Sequence, residues 1–127
     1  MDELNNAVKF IKFMQDMTRE KINIIYLDRQ DKVIYNTYHP WSIEGIKLYP
    51  EQIASIAQTT QSSSVILIHD QPSGNIAPMQ EDRQLAISAL ASLRARNIEL
   101  RDYIINAGAH RYYSMADNMI LNERAVR

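Results

Sequence analysis

Four consecutive apolar residues, Val65-Ile66-Leu67-Ile68, three of them β-branched, run directly into the polar group His69-Asp70-Gln71 and the turn Pro72-Ser73-Gly74. A short apolar run bounded by turn residues suits a strand buried on both faces. A second turn, Asn75 to Pro78, leads into a helical pattern that begins near Met79. The buried strand therefore delivers His69 to its carboxyl end, and Asp82 returns in the first turn of the next helix. Two such side chains at the mouth of a strand–turn–helix unit can hold a metal.

The segments on either side fix what this strand pairs with. Residues 3 to about 18 carry Phe10, Phe13, Met14 and Met17 at three- and four-residue spacing, the pattern of an amphipathic helix that faces either the core or a dimer partner. Glu20 closes that segment. Ile22 to Leu27 is apolar on both faces, Asp28-Arg29-Gln30-Asp31 reads as a hairpin turn, and Val33 to Tyr38 is the returning strand. After an irregular crossing over His39 to Gly45 and a short extended piece over Ile46 to Tyr49, Pro50 is expected at the first position of a helix. Gln80 to Arg96 reads as the longest helix, with Leu85, Ala89 and Leu93 as its stripe. Ile98 to Ile105 and Arg111 to Ser114 read as strands around the turn Ala107-Gly108-Ala109, and Ala116 to Leu121 as a short terminal helix. Helices alternating with a hairpin-containing sheet give an α/β or α+β class: a mixed β-sheet with packed helices. At 127 residues, the expectation is one domain over 1–127.

Composition narrows the chemistry. The chain has no cysteine, which rules out disulfides, thiolate zinc sites and cysteine nucleophiles. Any metal would rest on His, carboxylate or amide ligands. A net charge of −1 argues against a nucleic-acid or anionic-membrane partner. The acidic start MDELNNAVKF is not a signal peptide, and no segment is long enough to span a bilayer, so the expected place is the cytoplasm. Gly45, Gly74 and Gly108 are isolated, so there is no phosphate loop, and no Gly-x-Ser-x-Gly elbow occurs.

His69-Asp70-Gln71-Pro72-Ser73-Gly74 followed by Pro78-x-x-x-Asp82 resembles the signature of the RadC-like branch of the JAB/MPN (JAMM) metalloprotease family, a fold of the cytidine-deaminase-like architecture. That signature is a Glu at the first central strand, then His-x-His-Pro-Ser-Gly, then Ser-x-x-Asp. REKINIIYLDRQDKVI resembles the family's first hairpin, YPEQI its helix start, and LRDYIINAGAHRYYSM its closing strands, so the resemblance covers nearly the whole chain. It implies metal-assisted hydrolysis: two His and one Asp on zinc with a bound water, a Glu as base and a Ser as oxyanion donor. Carried over by position, Glu20 matches the base, His69 the first ligand and Asp82 the acidic ligand, and Pro72, Ser73 and Gly74 form the motif turn. Gln71 stands at the second His, Met79 at the oxyanion Ser, and Asp102-Tyr103 where the family has Asp-His.

Those departures set the functional expectation. An amide oxygen is a much weaker zinc ligand than imidazole, so His69, Asp82 and Gln71 would bind metal weakly or not at all, and Glu20 would be a vestigial general base. Asp70 points to the opposite face of an extended segment from its neighbours and does not replace the missing ligand. Methionine neither donates to an oxyanion nor caps a helix, and suggests a packed rather than hydrated corner. Each residue also has an ordinary structural use: Asp82 at a helix N-terminus, His69 as a hydrogen-bonded core histidine, Glu20 as a solvated residue, His39 and His110 on surface loops. The leading expectation is a non-catalytic protein- or peptide-binding module with no cofactor, able to dimerise through the N-terminal helix. The alternative is a zinc-dependent peptidase or isopeptidase with an atypical ligand set. A DNA-repair role follows from the family's label only.

Overall fold

The computed structural model describes residues 5–9, 20–72, 74–108, 110–118 and 121. Its elements run β1 (Lys21–Leu27), β2 (Val33–Pro40), α1 (Ile43–Thr59), β3 (Ser64–Asp70), α2 (Gln80–Arg94), β4 (Glu99–Gly108) and β5 (Arg111–Ser114). The five strands form one mixed sheet in the order β2-β1-β3-β4-β5. The Val65–Ile68 run therefore lies in the middle strand, antiparallel to β1 and parallel to β4. The parallel pair needs a crossover, and α2 provides it.

Alternation along the strands divides the sheet into two faces. Ile22, Ile24 and Tyr26 of β1, Val65 and Leu67 of β3, and Leu100, Tyr103 and Ile105 of β4 join one buried cluster with Ile53, Ala54 and Ala57 of α1 and Leu85, Ala86, Ala89 and Leu93 of α2. The two-residue rhythm of β4 skips between Leu100 and Tyr103, because a bulge there lets Val65 pair with Leu100 and Ile66 with Asp102. On the other face, Asp70 accepts from Asn23 and Asn106, which ties β1, β3 and β4 together at one end. Asp70 is thus on the side away from His69, as alternation requires.

Four expectations are corrected. The helix assigned to Pro50 starts seven residues earlier, at Ile43, so Ile46–Tyr49 is helical and Pro50 lies inside α1. Ser42 is the reason: its Oγ accepts from Gly45 N at 2.9 Å, an N-cap that outweighs the one backbone bond Pro50 forfeits. At 17 residues, α1 and not the 15-residue α2 is the longer helix. His39 is no loop residue: it belongs to β2 and stacks on Tyr49 with ring centroids 4.7 Å apart. Residues 115–118 form a turn rather than the start of a helix, with Asp117 N bonded to Ser114 Oγ and Ala116 N to Asp102. The expected N-terminal stripe of Phe10, Phe13, Met14 and Met17 lies outside the described residues, as does Ser73 of the motif turn.

Leu67 sits fully buried at the centre of this core, whereas Ile87 on α2 is 40% exposed. Leu67→Ala should lower unfolding stability by about 2–5 kcal/mol in urea titrations. Ile87→Ala should change it by about 0.5 kcal/mol or less.

Candidate functional site

Backbone register brings the site together. Ile22 pairs with His69 across the β1–β3 ladder, so Glu20, just before β1, lies beside the carboxyl end of β3. One turn later the chain enters α2, and its third residue, Asp82, faces the same point from the helix N-terminus. The three side chains meet. His69 Nε2 lies 2.6 Å from Glu20 Oε1, and His69 Nδ1 lies 2.6 Å from Asp82 Oδ1. His69 and Asp82 are fully buried, and Glu20 is partly open to solvent.

Asp82 is saturated with partners. Its Oδ1 also accepts from the Tyr103 hydroxyl at 2.7 Å, and its Oδ2 from Met79 N at 2.9 Å. The last contact closes the open end of α2 without a capping side chain at Met79. Met79 itself is 47% exposed, which corrects the expectation that it fills a packed corner. Gln71 is buried one residue beyond β3; its N–H donates to Asn106 O at 2.8 Å and its carbonyl accepts from Gly74 N at 3.3 Å. That turn carries Gly74 at φ +86°, a conformation in which glycine is unstrained.

Two contributors were not marked by the reading of residue types. Trp41 stacks on His69, with ring centroids 3.7 Å apart and planes at 11°. Its position follows from the hairpin: Lys21 pairs with Pro40, and the next step along the ladder is the bond from Trp41 N to Glu20 O at 3.2 Å. Being the chain's one tryptophan, just after the hairpin, was the available signal. Tyr103 was noticed only as a departure from Asp-His; the structure shows it bonded to Asp82. Its neighbour Asp102 holds the start of the last turn instead, through Ser114 Oγ at 2.6 Å.

The electrostatics follow from these contacts. Burial alone would push the His69 imidazole toward neutrality, but the hydrogen bonds and charges of Asp82 and Glu20 outweigh it and hold its pKa above the usual histidine value. A carboxylate only accepts, so with both acids ionised each ring nitrogen carries a proton: an imidazolium. Burial would likewise raise the Asp82 carboxyl, yet the His69 bond, Met79 N and the Tyr103 hydroxyl together hold it below the ordinary value. Burial, and then the Asp82 charge, drive the Tyr103 hydroxyl well above the usual tyrosine value, so it stays a donor.

The donor set does not fit a catalytic zinc: such a site takes three protein ligands, and beside His69 and Asp82 this chain offers Gln71, whose amide oxygen is a weak zinc ligand. Among the described residues, no group of three or more His, Cys, Asp or Glu side chains is set to hold a metal ion.

Comparison with known proteins agrees with the fold. A family model for the RadC-like JAB domain matches residues 1–120. The chain belongs to the RadC-like JAB domain family. Its similar relatives include the UPF0758 protein YkfG of Escherichia coli, 29% identical over 109 residues that cover 85% of this chain and 68% of that one. A UPF0758 protein of Syntrophomonas wolfei is 30% identical, covering 82% of this chain and 46% of its own length. The RadC-like domain contains, among its described residues, no helix long and apolar enough to cross a membrane.

Linkage gives a signed prediction. With the folded pKa of His69 raised, the folded state holds the proton over a range where the unfolded chain has released it. The triad's contribution is therefore complete below the unfolded value of about 6.5 and is lost as pH rises through the folded value. His69→Gln should cost about 3–5 kcal/mol near pH 6, and the gap from the unaltered protein should narrow as pH rises through the folded value in urea unfolding.

Proposed function

We propose that this RadC-like domain acts by binding a protein or peptide partner and not by hydrolysis. One observation carries the reading: both ring nitrogens of His69 are engaged by carboxylates, so the residue at the family's first-ligand position is committed to an internal ion pair. The sequence departures point the same way. Gln71 and Met79 replace a ligand and an oxyanion donor, and Tyr103 replaces the family's His with a group that binds Asp82. Removing one oxyanion donor alone typically costs about a hundred- to a thousand-fold in rate. The reading takes the domain as cytoplasmic, which a cysteine-free chain allows. It gives no weight to DNA, because a net charge of −1 offers no electrostatic footprint.

The rival reading, a zinc-dependent peptidase or isopeptidase, makes a different prediction for the same experiment. Elemental analysis of the purified protein, followed by calorimetric zinc titration, should give no stoichiometric zinc and no peptidase turnover. The double change Gln71→His with Met79→Ser should raise zinc affinity over the unaltered protein. Stoichiometric zinc in the unaltered protein, lost in His69→Ala, would overturn the binding-module reading and favour the hydrolase.

A further inference from the structure

The face of the sheet turned away from the His69 ring carries a cleft of its own, and register assembles it. Ile68 of β3 pairs with Ile104 of β4, Ile104 pairs with Ser114 of β5, and two residues along β4 Asn106 pairs with Tyr112. Alternation puts these side chains on one face. Asp102, two residues before Ile104, joins them. The turn after β5 adds Asp117, whose backbone N–H donates to Ser114 Oγ at 3.1 Å. The cleft measures about 470 Å³, within the usual size of ligand pockets, about 300–1,000 Å³.

Its lining selects a kind of ligand. Ile68 and Ile104 give it half-buried aliphatic carbon, and Tyr112 gives it an aromatic ring that is 60% exposed. Two carboxylates line it, and no Lys or Arg does. Asp102 is fixed in place: the Ser114 hydroxyl donates to its Oδ2 at 2.6 Å and Ala116 N to its Oδ1 at 3.0 Å. The Ser114 proton is thereby spent, and Asn106 Nδ2 donates to Asp70 at 2.9 Å. The Asp117 carboxylate is exposed and has no partner among the described residues. Aliphatic carbon, an aromatic face and acceptors without a resident cation match a positive charge carried on an aliphatic stem.

We propose that this cleft takes a lysine or arginine side chain of the bound protein or peptide, its stem on Ile68 and Ile104 and its charge on the Tyr112 ring and Asp117. The inference rests on the binding-module reading and adds the chemistry of the partner to it. A Lys or Arg stem buries against carbon while its head stays hydrated. The ring face attracts the cation, and the carboxylates fix the sign of the charge that is accepted. A neutral side chain of the same length gains the carbon contact alone, and an acidic one is repelled.

The test titrates the unaltered chain with the Nα-acetyl N-methylamides of lysine, arginine and norleucine, read on the Ile68 and Ile104 methyl resonances. Norleucine supplies a straight aliphatic side chain without the charge. Lysine, arginine or both should give saturable shifts at these two methyls, and norleucine should bind several-fold more weakly. Asp117→Asn and Tyr112→Leu should each weaken the cation about two- to fivefold, while Tyr112→Phe, which keeps the ring, should not. Whichever cation binds more tightly identifies the side chain. No saturable shift with either cation would overturn the proposal. So would norleucine binding as tightly as the cations, or cation binding unchanged when Asp117→Asn and Tyr112→Leu are combined. A domain that takes neither zinc nor these cations keeps the binding-module reading and loses this one.

Discussion

The His69 ring, held between the carboxylates of Glu20 and Asp82, is the contact on which the arrangement of this end of the sheet depends. It joins the residue before β1, the end of β3 and the first turn of α2 at one point. Tyr103 of β4 adds a fourth element through Asp82, and Trp41 covers the ring from the end of the hairpin. Burying such charges is costly, and their mutual attraction offsets the loss of hydration only when every donor and acceptor is used. That condition is met here at Asp82, whose two oxygens take bonds from His69, Tyr103 and Met79 N. Removing the imidazole leaves a buried carboxylate with its principal counter-charge gone, which is why a single substitution there is expected to be so expensive.

In the related metalloprotease pattern the same corner would be organised by a dication. In this chain the corner is organised by the His69 ring between two carboxylates. On the proposed reading the two solutions differ in chemistry: a zinc leaves one position for water and polarises it, whereas an imidazolium with both N–H groups engaged leaves no ring nitrogen for a substrate. The sheet's other face shows the same economy of polar groups. Asp70, one residue from His69, is turned away from it and holds Asn23 and Asn106, so neighbouring carboxylate and imidazole serve opposite sides of one strand.

How far the residues alone led depended on whether the determining contact was local or distant. The middle strand and the hairpin could be read directly, because a β-branched run and turn residues are local signals, while Glu20, His69 and Asp82 were grouped by the family resemblance. The start of α1 could not be read from Pro50, because proline signals a helix start only when nothing upstream caps the helix sooner; Ser42 does so. Met79 was read as packing because its type is apolar, but the cap it lacks is made from the other direction by Asp82, and its side chain faces solvent. The roles of Trp41 and Tyr103 arise from cross-strand register, one through the step after Pro40 and the other after a bulge in β4; neither has a sequence period that announces it.

The most direct measurement of the account is the protonation state of the His69 ring by nitrogen-15 nuclear magnetic resonance, with the signal assigned by its loss in His69→Gln. Both ring nitrogens should carry protons at neutral pH, persisting above the pH at which an ordinary histidine titrates, with shifts unchanged by added zinc. A ring with one unprotonated nitrogen at neutral pH, or one whose signals move on stoichiometric zinc addition, would contradict it.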